Sequence, residues 1–287
     1  MAAKAKPAPK SLRLHGGAVI RFPAVMGVLN VTPDSFSDGG RFLDPARAID
    51  HALAMEAAGA AIIDIGGEST RPGARGVDLE VELARVLPVI EVLAARLKAP
   101  ISIDTRKAAV ALAALERGAA IVNDISGLQH DAAMAAMVAR ARAGLVLMHM
   151  RGTPDVMMSL ANYGDVVGEV CTFLRRQAAT ALAAGVARSR IIVDPGLGFA
   201  KNWRHNLILL SSLRRICALG YPVLIGASRK SFVRRIAGGS ESELLFGTAA
   251  VNALAVAAGA AIIRVHDPGP AAAVVRMAAA IAASGRA

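Results

Sequence analysis

What most limits the fold of this chain is a repeated order: an Ala- and Leu-rich helical stretch, a glycine, then a short β-branched run. Gly59, Gly118, Gly144, Gly185, Gly220 and Gly259 each stand at or near the end of a helical pattern and just before an apolar run. A helix end wants a left-handed residue there, and glycine adopts that conformation without steric cost. The apolar runs are 24–29, 61–65, 101–103, 120–122, 144–148, 190–193, 222–225 and 261–265. Helical spacing covers 45–58, 79–97, 107–117, 132–143, 165–184, 205–219, 243–258 and 271–283. Asp44-Pro45 supplies an N-cap followed by proline at the first helical position.

Continuously apolar short strands are buried on both faces, which is the habit of parallel sheets covered by helices. Eight strand–helix units in 287 residues predict an α/β chain folded as a (β/α)8 TIM barrel. The rival is a doubly wound open sheet. It would carry a Gly-rich fingerprint after its first strand, and none follows Leu29. Residues 11–22, with Gly16-Gly17 between two short apolar stretches, read as a short N-terminal hairpin plugging the barrel's bottom. A disordered N-terminal tail is expected over 1–10 and a single barrel domain over 11–287.

Composition narrows the class of protein. Hydrophobic residues make up 54% of the chain and aromatics 3%, so the apolar mass is Ala, Val, Leu and Ile. No apolar run reaches the ~18 residues of a membrane span. The N-terminus has lysines and prolines but no apolar signal core. Cys171 and Cys217 both fall in helical patterns, which argues against a paired disulfide and for a cytoplasmic protein. The net charge of +11 admits nucleic acid, an anionic substrate or plain solubility. One Trp, two Tyr and seven Phe, scattered along the chain, are poor material for stacking bases.

Chemistry in such a barrel collects at the C-terminal ends of the strands. Those ends give Asn30, Asp64 with Glu68, Asp104, Asn123 with Asp124, His149, Asp194, Ser228 with Lys230, and Arg264 with His266 and Asp267. Any one of them alone reads better as a helix cap. Eight polar ends together read as a site. Asp104, Asn123 and Asp194 are acceptors suited to a flat, donor-rich heterocycle, because a carboxylate pairs with a guanidine-like edge through two parallel hydrogen bonds. Arg71, Lys230, Arg264 and His266 suit an anion such as phosphate.

These stretches carry a resemblance. Asn30 to Gly40, Glu68-Ser69-Thr70-Arg71-Pro72-Gly73, Ser102-Ile103-Asp104-Thr105, Asn123-Asp124-Ile125-Ser126-Gly127, Met148-His149-Met150, Asp194-Pro195-Gly196-Leu197-Gly198-Phe199, Ser228-Arg229-Lys230-Ser231-Phe232 and Arg264-Val265-His266-Asp267 resemble, in order, the motifs of the dihydropteroate synthases. The ordered set covers nearly the whole chain. Two departures lie on the loop rim: Arg151 stands where some members carry Gln, and Ala200 where Gly is usual.

The resemblance implies a pterin-binding barrel that joins 4-aminobenzoate to 6-hydroxymethyl-7,8-dihydropterin diphosphate and releases diphosphate. It implies pterin contacts from Asp104, Asn123, Met148, Asp194, Phe199 and Lys230. Asn30, Thr70, Arg264 and His266 would hold the diphosphate, with Mg2+ on Asn30. Phe36, Thr70, Arg71, Pro72 and Ser231 would form the aminobenzoate pocket. Asp104, Arg71, Lys230, Arg264 and His266 would carry the chemistry. The loops after the first and second strands would act as lids, sulfonamides would compete for the second pocket, and late helices would form a homodimer. Two rivals share the barrel. Pterin-binding methyltransferase domains have no use for Asn30, Arg71 and Arg264 with His266 together, and an inactive relative would keep the motifs without turnover.

Overall fold

The computed structural model describes residues 8–32 and 45–284. It opens with an antiparallel hairpin, β1 (Ser11–Arg13) and β2 (Val19–Arg21), in which Leu12 faces Ile20. Eight parallel strands follow: β3 (Ala24–Asn30), β4 (Ile62–Gly66), β5 (Ile101–Asp104), β6 (Ala119–Asp124), β7 (Gly144–Met148), β8 (Ile191–Asp194), β9 (Leu224–Ile225) and β10 (Ile262–Val265). They pair in the order β8-β7-β6-β5-β4-β3-β10-β9. A parallel bridge between Val193 and Val223 joins the two outer members, and the Val193 N–H donates to the Pro222 carbonyl at 2.9 Å. The barrel expected from the repeated units is therefore present and closed.

The helices outside it are α1 (Pro45–Ala57), α2 (Leu79–Arg96), α3 (Ala108–Glu116), α4 (Met134–Ala141), α5 (Val166–Ala183), α6 (Trp203–Ser211), α7 (Leu213–Cys217), α8 (Ser231–Ala237), α9 (Glu241–Ala258) and α10 (Pro268–Ser284). Two differ from the sequence pattern. The helix expected over 205–219 starts earlier, because the Asn202 side chain accepts the His205 N–H, and it breaks at Ser212. Residues 238–242, which read as loop, include the first turn of α9, capped reciprocally by Ser240 and Glu243.

Outward strand residues such as Ile63, Ile103, Val122 and Leu147 pack with the helices in the outer core. Inward residues form a second core of Met26, Ile62, Ile121, Val146, Ile192, Leu224 and Ile262, closed from below by Leu12, Leu14 and Ile20 of the hairpin. The hairpin is thus the plug that the sequence suggested. Gly144 has a different role from the other helix-end glycines. Arg142 takes the left-handed position after α4, whereas Gly144 begins β7, where a Cβ would come within 3.3 Å of Leu14. A side chain there would crowd the plug.

Strand side chains alternate faces, so two steps up each strand returns to the interior. Those steps lead from Ile62 to Asp64, Ser102 to Asp104, Ile121 to Asn123, Ile192 to Asp194 and Ile262 to Arg264. The interior changes from aliphatic to polar within one layer. The expected disordered tail falls mostly on residues outside those described; Lys10 already accepts the Phe22 N–H at 3.0 Å.

Leu12→Ala should lower unfolding free energy by about 2–5 kcal/mol, as a buried leucine truncation does. Urea unfolding measures this, and an unchanged midpoint would place the hairpin outside the cooperative core.

Candidate active site

Arg264 occupies the centre of the barrel mouth. Its Nε donates to Asp64 Oδ2 at 2.7 Å and its Nη2 to Asp104 Oδ2 at 2.7 Å. Asn123 Nδ2 donates to the same Asp64 oxygen at 3.0 Å. Four strands, β4, β5, β6 and β10, are tied by one charged network. Burial would depress the Arg264 pKa, but Asp64 and Asp104 outweigh it and hold it above the usual value. Arg264 Nη1 carries no partner among the described residues, which leaves donors for an anion. Asp64 stood among the polar strand ends, but it was not assigned to the site; the structure makes it the shared acceptor. Its other oxygen, Oδ1, is buried without a partner.

Asp194 lies across the mouth. Its Oδ1 accepts the Gly196 N–H at 2.7 Å. Burial raises its pKa, and Lys230 works against that rise. Burial in turn lowers Lys230 to about 8, opposed by Asp194. Lys230 Nζ donates to the Leu197 carbonyl and lies 4.6 Å from the centroid of the Phe199 ring. Phe199 packs against an apolar group of Ile125, Met148, Met150, Met157 and Ala200. Asp194, Lys230, Met148 and Phe199 therefore make one wall: acceptor, cation and apolar face.

His266 is held by Ser228, whose Oγ accepts the His266 backbone N–H at 3.3 Å and meets Nδ1 at 3.1 Å. Burial, then Arg264, lowers its pKa to about 4, so the ring is neutral at neutral pH. It can offer an anion a hydrogen bond but no charge of its own.

The loop after β4 is fastened at its base. Glu68 accepts from Arg106, from Lys107 Nζ at 2.7 Å and from the Val77 N–H at 3.1 Å, and Lys107 also reaches Glu82 at 2.5 Å. Beyond that base Thr70 is half-buried, while Arg71 and Pro72 are exposed. Gly73 N–H donates to the Pro154 carbonyl at 3.0 Å, so the loop leans on the segment after β7. Ser231 is exposed at the start of α8. Phe36 and the rest of the loop expected to act as the first lid, 33–40, lie outside the described residues.

Among the described residues no group of three or more His, Cys, Asp or Glu stands together to hold a metal. Asn30 is half-buried at the end of β3, and its side-chain amide has no partner among the described residues. One neutral oxygen fits a hard cation that draws its other ligands from phosphate and water.

A closed barrel whose mouth pairs buried acceptors with an apolar wall and a cationic end defines an enzyme that holds a polar, flat ring joined to an anion. The family model described as pterin binding enzyme matches residues 26–266. The dihydropteroate synthase of Synechocystis is 49% identical over 244 residues, covering 85% of this chain and 84% of that protein. A Yersinia pestis dihydropteroate synthase, solved with a sulfonamide drug, superposes with a TM-score of 0.89 at 40% identity, covering 95% of this chain and 99% of that one. The Xanthomonas albilineans enzyme in complex with 7,8-dihydropteroate superposes at 0.85 with 38% identity, covering 94% and 98%. The chain belongs to the dihydropteroate synthase family.

Asp104 gives the site a titration to test. Burial raises its pKa to about 7, against the pull of Arg264 and with Asp64 adding to the rise. The folded protein keeps a proton there that the unfolded chain gives up above its value of 3.8. The stability tied to this group is thus full below pH 3.8 and is lost as pH rises through about 7. Carboxyl carbon NMR should show a midpoint near 7 for Asp104, moving higher in Arg264→Met. A midpoint near 3.8 in the parent protein would contradict the burial account.

Proposed function

We infer that this chain condenses 6-hydroxymethyl-7,8-dihydropterin diphosphate with 4-aminobenzoate, giving 7,8-dihydropteroate and diphosphate, a step of folate biosynthesis. The observation that carries this reading is the mouth itself: buried Asp194, Asp104 and Asn123 line one interior with Arg264 and His266. The product complex of the Xanthomonas relative supports it.

Asp194 would accept from the 2-amino and N3 edge of the pterin, and Asp104 and Asn123 would hold the opposite edge. Lys230 would reach the carbonyl side, with Met148 and Phe199 against the ring. Arg264 Nη1, His266, Thr70 and Asn30 would hold the diphosphate. Asn30 would also hold Mg2+, which when bound supplies further neutralisation of the diphosphate charge. Thr70, Arg71, Pro72, Phe36 and Ser231 would receive aminobenzoate.

The reaction is a displacement at the pterin methylene. The carbon–oxygen bond to diphosphate breaks, and its electron pair leaves with the diphosphate. Arg264 offsets the growing negative charge where water is scarce. Positive charge on the methylene is spread over the ring and faced by Asp104. The free aromatic amine then forms the carbon–nitrogen bond and loses a proton to solvent or to the departing diphosphate. A neutral aniline nitrogen is already a nucleophile, so no strong base is required. Positioning and fixed electrostatics carry the catalysis.

We further propose a homodimer in the cytoplasm. Phe246 and Leu254 on α9 and Met277 and Ile281 on α10 are all more than 60% exposed, on two helices packed against each other. Exposed apolar patches of this kind mark contact surfaces. Among the described residues no helix is long and apolar enough to cross a membrane.

Purified protein with both substrates and Mg2+ should release diphosphate and form dihydropteroate, with sulfonamides competing against aminobenzoate. No turnover would favour an inactive relative. Asp194→Ala should weaken pterin binding about 100-fold or more by calorimetry, since two hydrogen bonds to a carboxylate are lost. Unchanged affinity would remove Asp194 from the site. Sedimentation should show Leu254→Asp as a monomer and the parent as a dimer; equal mass for both would refute the α9–α10 interface.

A further inference from the structure

One buried lysine is not used by the mechanism above. Lys201 is among the most buried large side chains of the protein. A lysine in that position normally has an acidic partner. Among the described residues no carboxylate lies within ion-pair distance of this one. Its Nζ meets His149 Nδ1 at 2.9 Å, the Phe199 carbonyl at 2.9 Å and the His149 carbonyl at 3.3 Å. Neutral acceptors repay the burial of an ammonium poorly, and burial pushes the Lys201 pKa well below the usual lysine value against the pull of Asp194. Packing alone does not account for a lysine here.

The acceptors come from two neighbouring strand ends. His149 follows β7 and donates its backbone N–H to the Asp194 carbonyl at 2.9 Å; Phe199 belongs to the turn after β8. The turn passes so close that a Cβ on Gly196 would stand 2.0 Å from the His149 oxygen. Lys201 stitches the two together. On the far side Lys230 holds the Leu197 carbonyl. The turn is thus gripped at alternate carbonyls by two lysines. Its backbone needs gripping: Gly196, Gly198 and Ala200 all have positive φ, and for Ala200 that conformation is unfavourable.

We propose that Lys201 is a positioning residue for the pterin, locking the turn of residues 196–200 against the end of β7 so that Asp194 and Phe199 present to the ring. This rests on the pterin reading of the mouth. Burial lowers the His149 pKa to about 2, so its ring is neutral and takes part in this lock as a hydrogen-bonding partner rather than as a second charge.

The test compares the parent protein with Lys201→Met and Lys201→Gln, using 6-hydroxymethylpterin without phosphate as the calorimetric probe. Lys201→Met should fold with a lowered unfolding midpoint, because three buried acceptors lose their donor, and should bind the pterin about 10- to 100-fold more weakly. Lys201→Gln, which keeps two donors, should recover part of the loss. At saturating pterin diphosphate, the KM for aminobenzoate should stay within about twofold of the parent in both variants. Parent-like pterin affinity in Lys201→Met overturns the proposal, as does equal weakening toward both substrates. Should Lys201→Met fail to fold, parent-like affinity in Lys201→Gln overturns it in the same way. If the parent itself does not bind the pterin, the pterin reading falls and this proposal with it.

Discussion

The site depends on one guanidinium being shared. Asp64 and Asp104 sit at the top of adjacent strands, both buried. Two carboxylates at such a place repel each other and are costly to dehydrate. Arg264 comes from 200 positions beyond Asp64 and 160 beyond Asp104 in the chain, reaches both, and makes their neighbourhood tolerable. The same contacts fix the guanidinium. A loose arginine on the rim would spend side-chain entropy to meet an anion, whereas this one is already oriented. The carboxylates thus fix the orientation of the cation, which in the proposed function would meet the diphosphate, and the cation makes a buried Asp104 possible beside it.

That arrangement needs a rigid floor. The hairpin side chains Leu12, Leu14 and Ile20 seal the lower barrel with Met26, Ile62, Ile121 and Ile192. Directly above, the interior turns polar in a single layer. A wet or loosely packed floor would let water reach the carboxylates, weaken the electrostatics, and remove the reason for pairing them. The plug is far from the chemistry in function but only two residues from it along each strand.

Much of this could be read from residue order. The helix, glycine, strand unit fixed the barrel because glycine's left-handed conformation is a local requirement that sequence displays directly. Strand ends were equally plain, since polarity breaks off an apolar run abruptly. What sequence could not display was partnership. Asp64 looked like one strand end among eight; its centrality comes from Arg264 and Asn123 converging on one oxygen. His266 read as a potential cation, and only its burial beside Arg264 makes it neutral. Gly144 fitted the helix-end pattern by position, yet Arg142 takes the left-handed turn and Gly144 makes room for Leu14. Lys201 was visible only as the neighbour of an unusual Ala200. Its acceptors are carbonyls and a ring nitrogen, partners that leave no mark in a pattern of side-chain types.

A neutral His266 also bears on how the reaction is driven. With the ring uncharged, the fixed positive charge that would face the diphosphate in the proposed function comes from Arg264, and part of that is already answered by Asp64 and Asp104. A site so balanced binds a dianionic or trianionic group less tightly than a cluster of free cations would. That is an advantage for turnover. Charge builds on the leaving oxygens only as the bond breaks, so modest ground-state attraction leaves more of the interaction to be gained in the transition state. Asp104 adds to the same end. It lies against Arg264 and, in the proposed reaction, would face the methylene, so positive charge developing on the carbon would strengthen the attraction of its ionised form while negative charge developing on the diphosphate would strengthen Arg264's. One salt bridge set between two growing charges of opposite sign would then stabilise both at once.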